Sequence, residues 1–368
     1  MAVKRIGVIG SGQLGRMMAL AATHLDTEFV FFDEALESPC SNLGKLIQPS
    51  TSNALQAFID SVDVVTYESE NTNADLVRSI NETVPVYPSA HSLINSQHRL
   101  TEKSFFQSIG IQTADFRKVV NLEDLKQAVT ELGLPIILKT TREGYDGKGQ
   151  AIIKTPADIQ QAWEELGDKE LIAEAFVTFS RELSVIAVRS PRGEVKVYPL
   201  AENDHSAGIL RVSRVPVKHL SDEKQSQAKA FITTLLQKLD HVGVLTLELF
   251  DTETGLVANE MAPRVHNSGH WSIEGAYCSQ FENHIRAICD MPLGATESRQ
   301  PYAGMINIIG KHGDKASVLK LTNCFYHAYG KDERLNRKIG HINIVANTEA
   351  ELENSIAKLN DFIVESGN

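Results

Sequence analysis

Residues 3–9 (VKRIGVI), a stretch short for a helix whose apolar end leads into glycine, read as a buried strand. A glycine-rich turn follows. Apolar positions from 14 to 25 then recur at helical spacing, so the chain opens with a strand, a turn and a helix. A second apolar run at 29–32 ends in Asp33, and a helix near 53–61 leads to a third strand at 62–67. Strands alternating with helices predict a parallel, doubly wound first domain.

Further along, 98–109 has helical periodicity, and Asn121 opens another helix with Glu123 and Asp124 in its first turn, where the helix dipole favours them. A strand at 135–139 runs into the glycine-rich stretch 142–150, and strand character resumes at 151–154, which predicts a hairpin. Residues 170–260 alternate short strands with one long helix at about 221–239, and 339–362 supplies a final strand and helix.

At 368 residues and 42% hydrophobic content the chain is long enough for two or three domains. Its formal net charge of −11 disfavours a nucleic acid partner, because a phosphodiester backbone would be repelled at long range. Small phosphorylated ligands in locally basic clefts remain compatible with that balance. Cys40, Cys278, Cys289 and Cys324 form no CxxC pair, which disfavours a zinc or redox motif and fits reduced thiols in a cytoplasm. Apolar runs long enough to span or anchor in a membrane are not expected.

Gly10, Gly12 and Gly15 form a GxGxxG between the first strand and helix, and Asp33 closes the second strand as a dinucleotide fingerprint would require. The physics asks only for an anion. Backbone amides at a helix N-terminus favour any phosphate, including that of a ribonucleotide, and glycines there also permit simple tight packing. The motif alone leaves these readings open.

Other residues point to a nucleoside triphosphate. Gly144, Gly147 and Gly149 free the backbone to wrap phosphates while Lys148 supplies charge, although an ordinary hairpin tip would look similar. Lys103 and Lys139 stand where long cationic side chains could reach phosphate oxygens, yet each taken singly reads as a solvated lysine. The extended segment from Glu174 to Val177 could offer backbone groups and an apolar wall to a base, with Glu182 available to ribose hydroxyls. Glu248 lies in one strand, and Asn259 and Glu260 end the next. Antiparallel pairing could bring two carboxylates and an amide together as a cage for Mg²⁺, although one exposed and one salt-bridged glutamate would show the same pattern. The polar run Arg264 to His270 suits an oxyanion cradle better than a zinc site, since His266 and His270 have no further ligand spacing.

Taken together, GQLGRM, GYDGKGQ, NEMAPRVHNSGHWS, YGK and RKIGH resemble the N5-carboxyaminoimidazole ribonucleotide synthetase family of ATP-grasp ligases, from residue 5 to about 345. The resemblance implies an α/β ATP-grasp fold: an N-terminal doubly wound domain (1–95), an ATP-grasp domain (96–295, with a lid at about 113–173), and a mixed α+β C-terminal portion (296–368). It implies that ATP phosphorylates bicarbonate to carboxyphosphate and that the amine of 5-aminoimidazole ribonucleotide takes the carboxyl group, in a cytoplasmic homodimer. Residue by residue, Lys103, Lys139, Gly144, Gly147, Lys148, Gly149, Glu174, Val177, Glu182, His205 and Asn259 would surround ATP. Glu248 and Glu260 would hold Mg²⁺. Arg264, His266 and Asn267 would bind bicarbonate and its phosphorylated form, and Tyr145, Asp146, Lys331, Arg337 and Lys338 would grip the ribonucleotide. Asp146 would orient the amine, with either Asp146 or the carboxyphosphate itself accepting its proton, while Gly12, Gln13, Leu14 and the helix they open would take the 5′-phosphate, with Glu68 nearby.

Two positions depart from the family pattern: His98 stands for an aspartate, weakening a helix cap, and Asn336 replaces a glycine before Arg337, tolerating positive φ better than most residues. The rival readings are another ATP-grasp ligase, such as glycinamide ribonucleotide transformylase or biotin carboxylase, a nicotinamide dehydrogenase, and a non-catalytic nucleotide-binding regulator. APRVHNSGH and RKIGH disfavour the first, the loop at 144 the second, and Asp146 with Lys331 the third.

Overall fold

The computed structural model describes residues 3–142, 144 and 149–363. Among them the strands form three sheets. The first is entirely parallel, in the spatial order Lys45–Ile47, Thr27–Phe32, Lys4–Ile9 and Val64–Tyr67. Strand Val64–Tyr67 is buried at every position, as a sheet covered on both faces demands. The order reverses at Lys4–Ile9, which has Thr27–Phe32 on one side and Val64–Tyr67 on the other. The carboxyl ends of Lys4–Ile9 and Val64–Tyr67 therefore open a crevice of the kind that takes ligands in such sheets.

A second, antiparallel sheet has the order Phe116–Val119, Leu171–Ala175, Ile136–Thr140 and Gln150–Ile153. The hairpin expected around residue 144 is present, with Ile136 opposite Ile153 and Lys139 opposite Gln150. One face of this sheet buries Val119, Leu138, Ile153 and Leu171 with Leu125 and Ala162 from two helices, a small core of its own.

The third sheet contains nine strands. Strands Arg181–Arg189, Gly243–Thr252 and Gly255–Ala262 are longer than the short elements expected between 170 and 260, and the sheet continues through Ile209–Val215 into Tyr302–Ile309 and Lys338–Ala346. Helix Asp222–Lys238 covers one face with Ala228, Ile232, Leu235 and Leu236. Helix Gln280–Ile288 packs the other side of the strands against helix Gln13–Ala22, so that Leu14, Met18, Val244, Ile285 and Ile288 share one core. The parallel sheet is thereby docked on the large sheet through apolar packing. Among the described residues no helix is long and apolar enough to cross a membrane.

Candidate active site

A cleft of about 1390 Å³ opens where the three sheets meet. Along one wall the hairpin of Gly243–Thr252 and Gly255–Ala262 carries a register break: Leu247 faces Met261 and Leu249 faces Ala258. The single residue Glu248 therefore opposes two, Asn259 and Glu260. The antiparallel pairing expected from the sequence is present, and the bulge adds the local bend that brings both glutamates to the cleft.

Glu260 Oε2 accepts from Arg99 Nη1 at 3.0 Å, and His266 Nε2 lies 3.4 Å from Glu248 Oε1. Burial, then the charge of Glu260, pushes Glu248 above the ordinary carboxylate range. The same two causes raise nearby Glu102, which accepts from the backbone N–H of Met261 at 2.7 Å. Two buried carboxylates raised by burial and by the charge of Glu260 would be relieved by added positive charge, which is what a divalent cation supplies. Among the described residues no three His, Cys, Asp or Glu side chains converge as a complete metal cage. Two carboxylates with phosphate and water oxygens completing the shell suit Mg²⁺, so the residues fit that ion.

Opposite them, Glu174 receives Lys139 Nζ at 2.8 Å and Lys103 Nζ at 3.4 Å, and Lys103 also donates to the Asn259 carbonyl at 3.2 Å. Burial would raise Glu174, but the two ammonium groups outweigh it and hold the carboxyl at about 2. Lys103, which read singly as solvated, is only 2% exposed. Its ammonium lies among nucleotide-site candidates instead of in water. Phe176, Phe179 and Phe250 line this end, the last two with ring centroids 4.6 Å apart, beside Ile137. Val177 is half-buried in the extended segment between Phe176 and Phe179. Glu182 lies 3.3 Å from His205, placed by a second register break between Asp204 and His205. Burial lowers the His205 imidazole, but Glu182 wins and raises it.

The polar run from Arg264 to His270 follows Ala262. Arg264 Nε donates to Glu70, while burial, which would raise Glu70, is outweighed by that guanidinium, and the carboxyl stays at about 2. His266 Nδ1 meets Ser268 Oγ at 2.9 Å, and burial followed by Arg264 drives its pKa down to about 3, leaving a neutral imidazole. Asn267 exchanges side-chain hydrogen bonds with Asn307 at 2.9 and 2.6 Å.

The glycine signature holds an unforeseen occupant. Gly10 has φ +103°, and a Cβ there would lie 2.6 Å from Glu68. Glu68 places its carboxylate on the amides of Gly12 and Gly15, the latter at 2.8 Å, so the anion cradle already contains an anion belonging to the chain. Gln13 and Leu14 still line the cleft, and Lys331 Nζ donates to Gln13 Oε1. Burial, then Arg337, brings Lys331 down to about 8. Arg337, Lys338 and Arg334 line the same end, and Asn336 has φ +60°, the conformation expected of a residue standing for glycine.

Of the candidates, Gly144 lines the cleft and its carbonyl accepts from Arg99 Nη2 at 2.8 Å, and Gly149 has φ +69° in the turn just before strand Gln150–Ile153. Tyr145, Asp146, Gly147 and Lys148 lie outside the described residues. Sequence reasoning missed Glu70, Arg99, Glu102 and Arg334, all on the cleft wall. His98 makes no side-chain cap and pairs instead with Glu170 at 2.9 Å.

Comparison with known proteins agrees with this geometry. The ribonucleotide synthetase preATP-grasp domain matches residues 3–97, the ATP-grasp domain 104–281, and the phosphoribosylaminoimidazole carboxylase C-terminal domain 303–355. The chain is 45% identical to N5-carboxyaminoimidazole ribonucleotide synthase of Pseudomonas aeruginosa over 98% of its length and 99% of the relative's. It is 39% identical to that of Bacillus subtilis, covering 94% and 92%. The Thermus thermophilus crystal structure of the synthetase superposes with a TM-score of 0.93 at 43% identity, covering 98% and 99%. An Aspergillus clavatus structure in complex with ADP and 5-aminoimidazole ribonucleotide gives 0.90 at 31% identity, covering 98% of both chains. With an ATP-grasp fold, a bulge-borne carboxylate pair and relatives matched end to end, the chain belongs to the N5-carboxyaminoimidazole ribonucleotide synthase family.

Proposed function

We propose that the chain carboxylates the exocyclic amine of 5-aminoimidazole ribonucleotide, using ATP and bicarbonate and releasing ADP and phosphate. The observation that carries this reading is one cleft uniting the Glu248 and Glu260 pair, the Arg264–Asn267 loop, and the cationic segment from Lys331 to Lys338.

A bicarbonate oxygen attacks the γ-phosphorus of ATP, ADP leaves, and carboxyphosphate forms. The amine then attacks its carbonyl carbon, phosphate departs, and the amine loses one proton. Lys103, Lys139, Lys148 and the glycines at 144, 147 and 149 hold the phosphates, and Glu174, Val177, Glu182, His205 and Asn259 frame the nucleoside. Mg²⁺ held by Glu248 and Glu260 would neutralise phosphate charge during transfer. Arg264 and Asn267 direct N–H donors at the oxyanion, and neutral His266 can donate without adding a full charge. Lys331, Arg337, Lys338, Gln13 and Leu14 take the ribonucleotide with Gly12, Glu68 and Tyr145, and Asp146 accepts the amine proton. The lid at 113–173 and the divisions at 95 and 295 complete this reading, as does a cytoplasmic homodimer, tested by sedimentation of the purified chain.

The deciding experiment measures ADP release with Mg²⁺, ATP and bicarbonate, with and without 5-aminoimidazole ribonucleotide, against glycinamide ribonucleotide plus formate. Strong stimulation by the aminoimidazole alone is expected. Stimulation by the other pair would leave an ATP-grasp ligase with a different acceptor.

Lys331 adds a pH signature. Its ammonium is present below about 8 and lost above it. The KM for the ribonucleotide should therefore rise above that pH, by roughly tenfold per unit if Lys331 carries the phosphate contact. Lys331→Arg should flatten the rise, because guanidinium stays charged. A KM unchanged up to about pH 9.5 would remove Lys331 from this role.

A further inference from the structure

The segment after strand Val64–Tyr67 touches both halves of the cleft. Glu68 turns to helix Gln13–Ala22 and accepts from the amides of Gly12 and Gly15. Two residues on, Glu70 turns the other way and accepts from Arg264 Nε, with side chains only 32% and 15% exposed. The segment is tied further along, where Gln97 Nε2 donates to the Thr72 carbonyl and Asn71 N to Ser69 Oγ. Arg264 Nη1 also donates to the Val265 carbonyl at 3.1 Å. A guanidinium has five N–H donors in a fixed plane, so anchoring Nε and one Nη1 hydrogen fixes where the remaining donors point.

A phosphate approaching the N-terminal end of helix Gln13–Ala22 meets the like charge of Glu68 at the same amides. Movement of Glu68 is passed to Glu70 through only two peptide links, each a nearly fixed 3.8 Å step between Cα atoms.

We propose that Glu70 is a positioning residue: it aims Arg264 at the bicarbonate-derived oxyanion and, through its short link to Glu68, ties that aim to occupancy of the ribonucleotide cradle. The inference rests on the proposed carboxylation. It also gives a reason for ATP to be spent chiefly when the acceptor is bound, since carboxyphosphate formed without an amine is lost to water.

The test uses Glu70→Gln in the full-length chain, a change that keeps size and removes charge. Loss of one charge-assisted anchor should raise the bicarbonate KM about tenfold and lower stimulation of ADP release by the aminoimidazole about tenfold, with the ATP KM within about twofold. Glu70→Asp should recover part of both. Where Glu70→Gln fails to fold, Arg264→Lys provides the reading: it keeps the charge, loses the Nε anchor, and should raise the bicarbonate KM similarly. In that background Glu70→Asp should add less than about twofold. Equal movement of the bicarbonate and ATP KM values, or movement of neither, overturns the proposal. Absence of aminoimidazole stimulation in the parent chain would instead sink the substrate reading, and the bicarbonate KM of the variants would still decide the role of Glu70.

Discussion

Arg264→Ala is expected to lower kcat/KM for bicarbonate by about 10³-fold, the loss typical of a missing transition-state anion donor in a site shielded from water. The guanidinium is half-buried and held by Glu70 and the Val265 carbonyl, so it is arranged before the reaction begins. On the proposed reaction, negative charge gathers on the bicarbonate-derived oxygens when the amine adds to carboxyphosphate, and there a prealigned donor contributes most. Arg264→Lys should retain some activity through charge alone, placing it between the parent and the alanine variant. Truncation also leaves Glu70 without its cation. Because Glu70 is about a third exposed, that loss should cost less than the about 3 kcal/mol typical of fully buried broken pairs. Thermal melting checks this. A large activity loss with a small change in Tm supports a catalytic contact, and collapse of both assigns Arg264 to stability.

Much of this site was legible before any geometry was known, for identifiable reasons. Gly10 to Gly15 announced a turn and helix start, because few sequences but glycine-rich ones follow a strand into a helix so tightly. That pattern could not name its anion. Glu68, more than fifty residues on, fills the cradle by parallel pairing of Lys4–Ile9 with Val64–Tyr67. Alternation and pairing suggested that Glu248 meets Glu260, but not that a bulge sets two residues against one, since register is a tertiary property. Arg99 and Glu70 were invisible for a related reason. Each is a single charged residue near an element end, and its partner lies 161 or 194 positions away. Lys103, a helical residue, misled for the same reason, since its environment is made by Glu174 on a strand of the antiparallel sheet.

The other large expected effect is on stability in acid, and it lies where the parallel sheet docks on the large one. Val244, at the start of its strand, is flanked by two wholly buried histidines. Its N–H donates to His284 Nδ1 at 3.1 Å, which leaves His284 Nε2–H for Thr66 Oγ1 at 2.9 Å. Its carbonyl accepts from His241 Nε2 at 3.0 Å, so His241 Nδ1 accepts from Ser92 Oγ at 3.0 Å. Both rings are thus fixed as neutral tautomers, and a proton on either Nδ1 would displace an existing donor. Burial, opposed at His241 by its bond to Val244, lowers the pKa to about 4 for His241 and, with His241 adding to burial, to about 3 for His284. In the unfolded chain both return to about 6.5. Below that pH the unfolded state binds protons that the folded state refuses, so stability falls as pH drops through about 6.5 and keeps falling until about 4 and then 3. At about pH 5 each histidine contributes about 2 kcal/mol of this loss, or about 4 kcal/mol together, a large part of a typical folding free energy. Urea unfolding at a series of pH values should show ΔG declining below about pH 6, with about two protons of the slope from this pair, added to those of buried His266, His270 and His341 and of the carboxylates. His284→Gln should be less stable at neutral pH and lose about one proton from that slope. A slope unchanged in that variant would mean that His284 does not stay neutral in the folded chain, and that the docking of the two sheets owes nothing to it in acid.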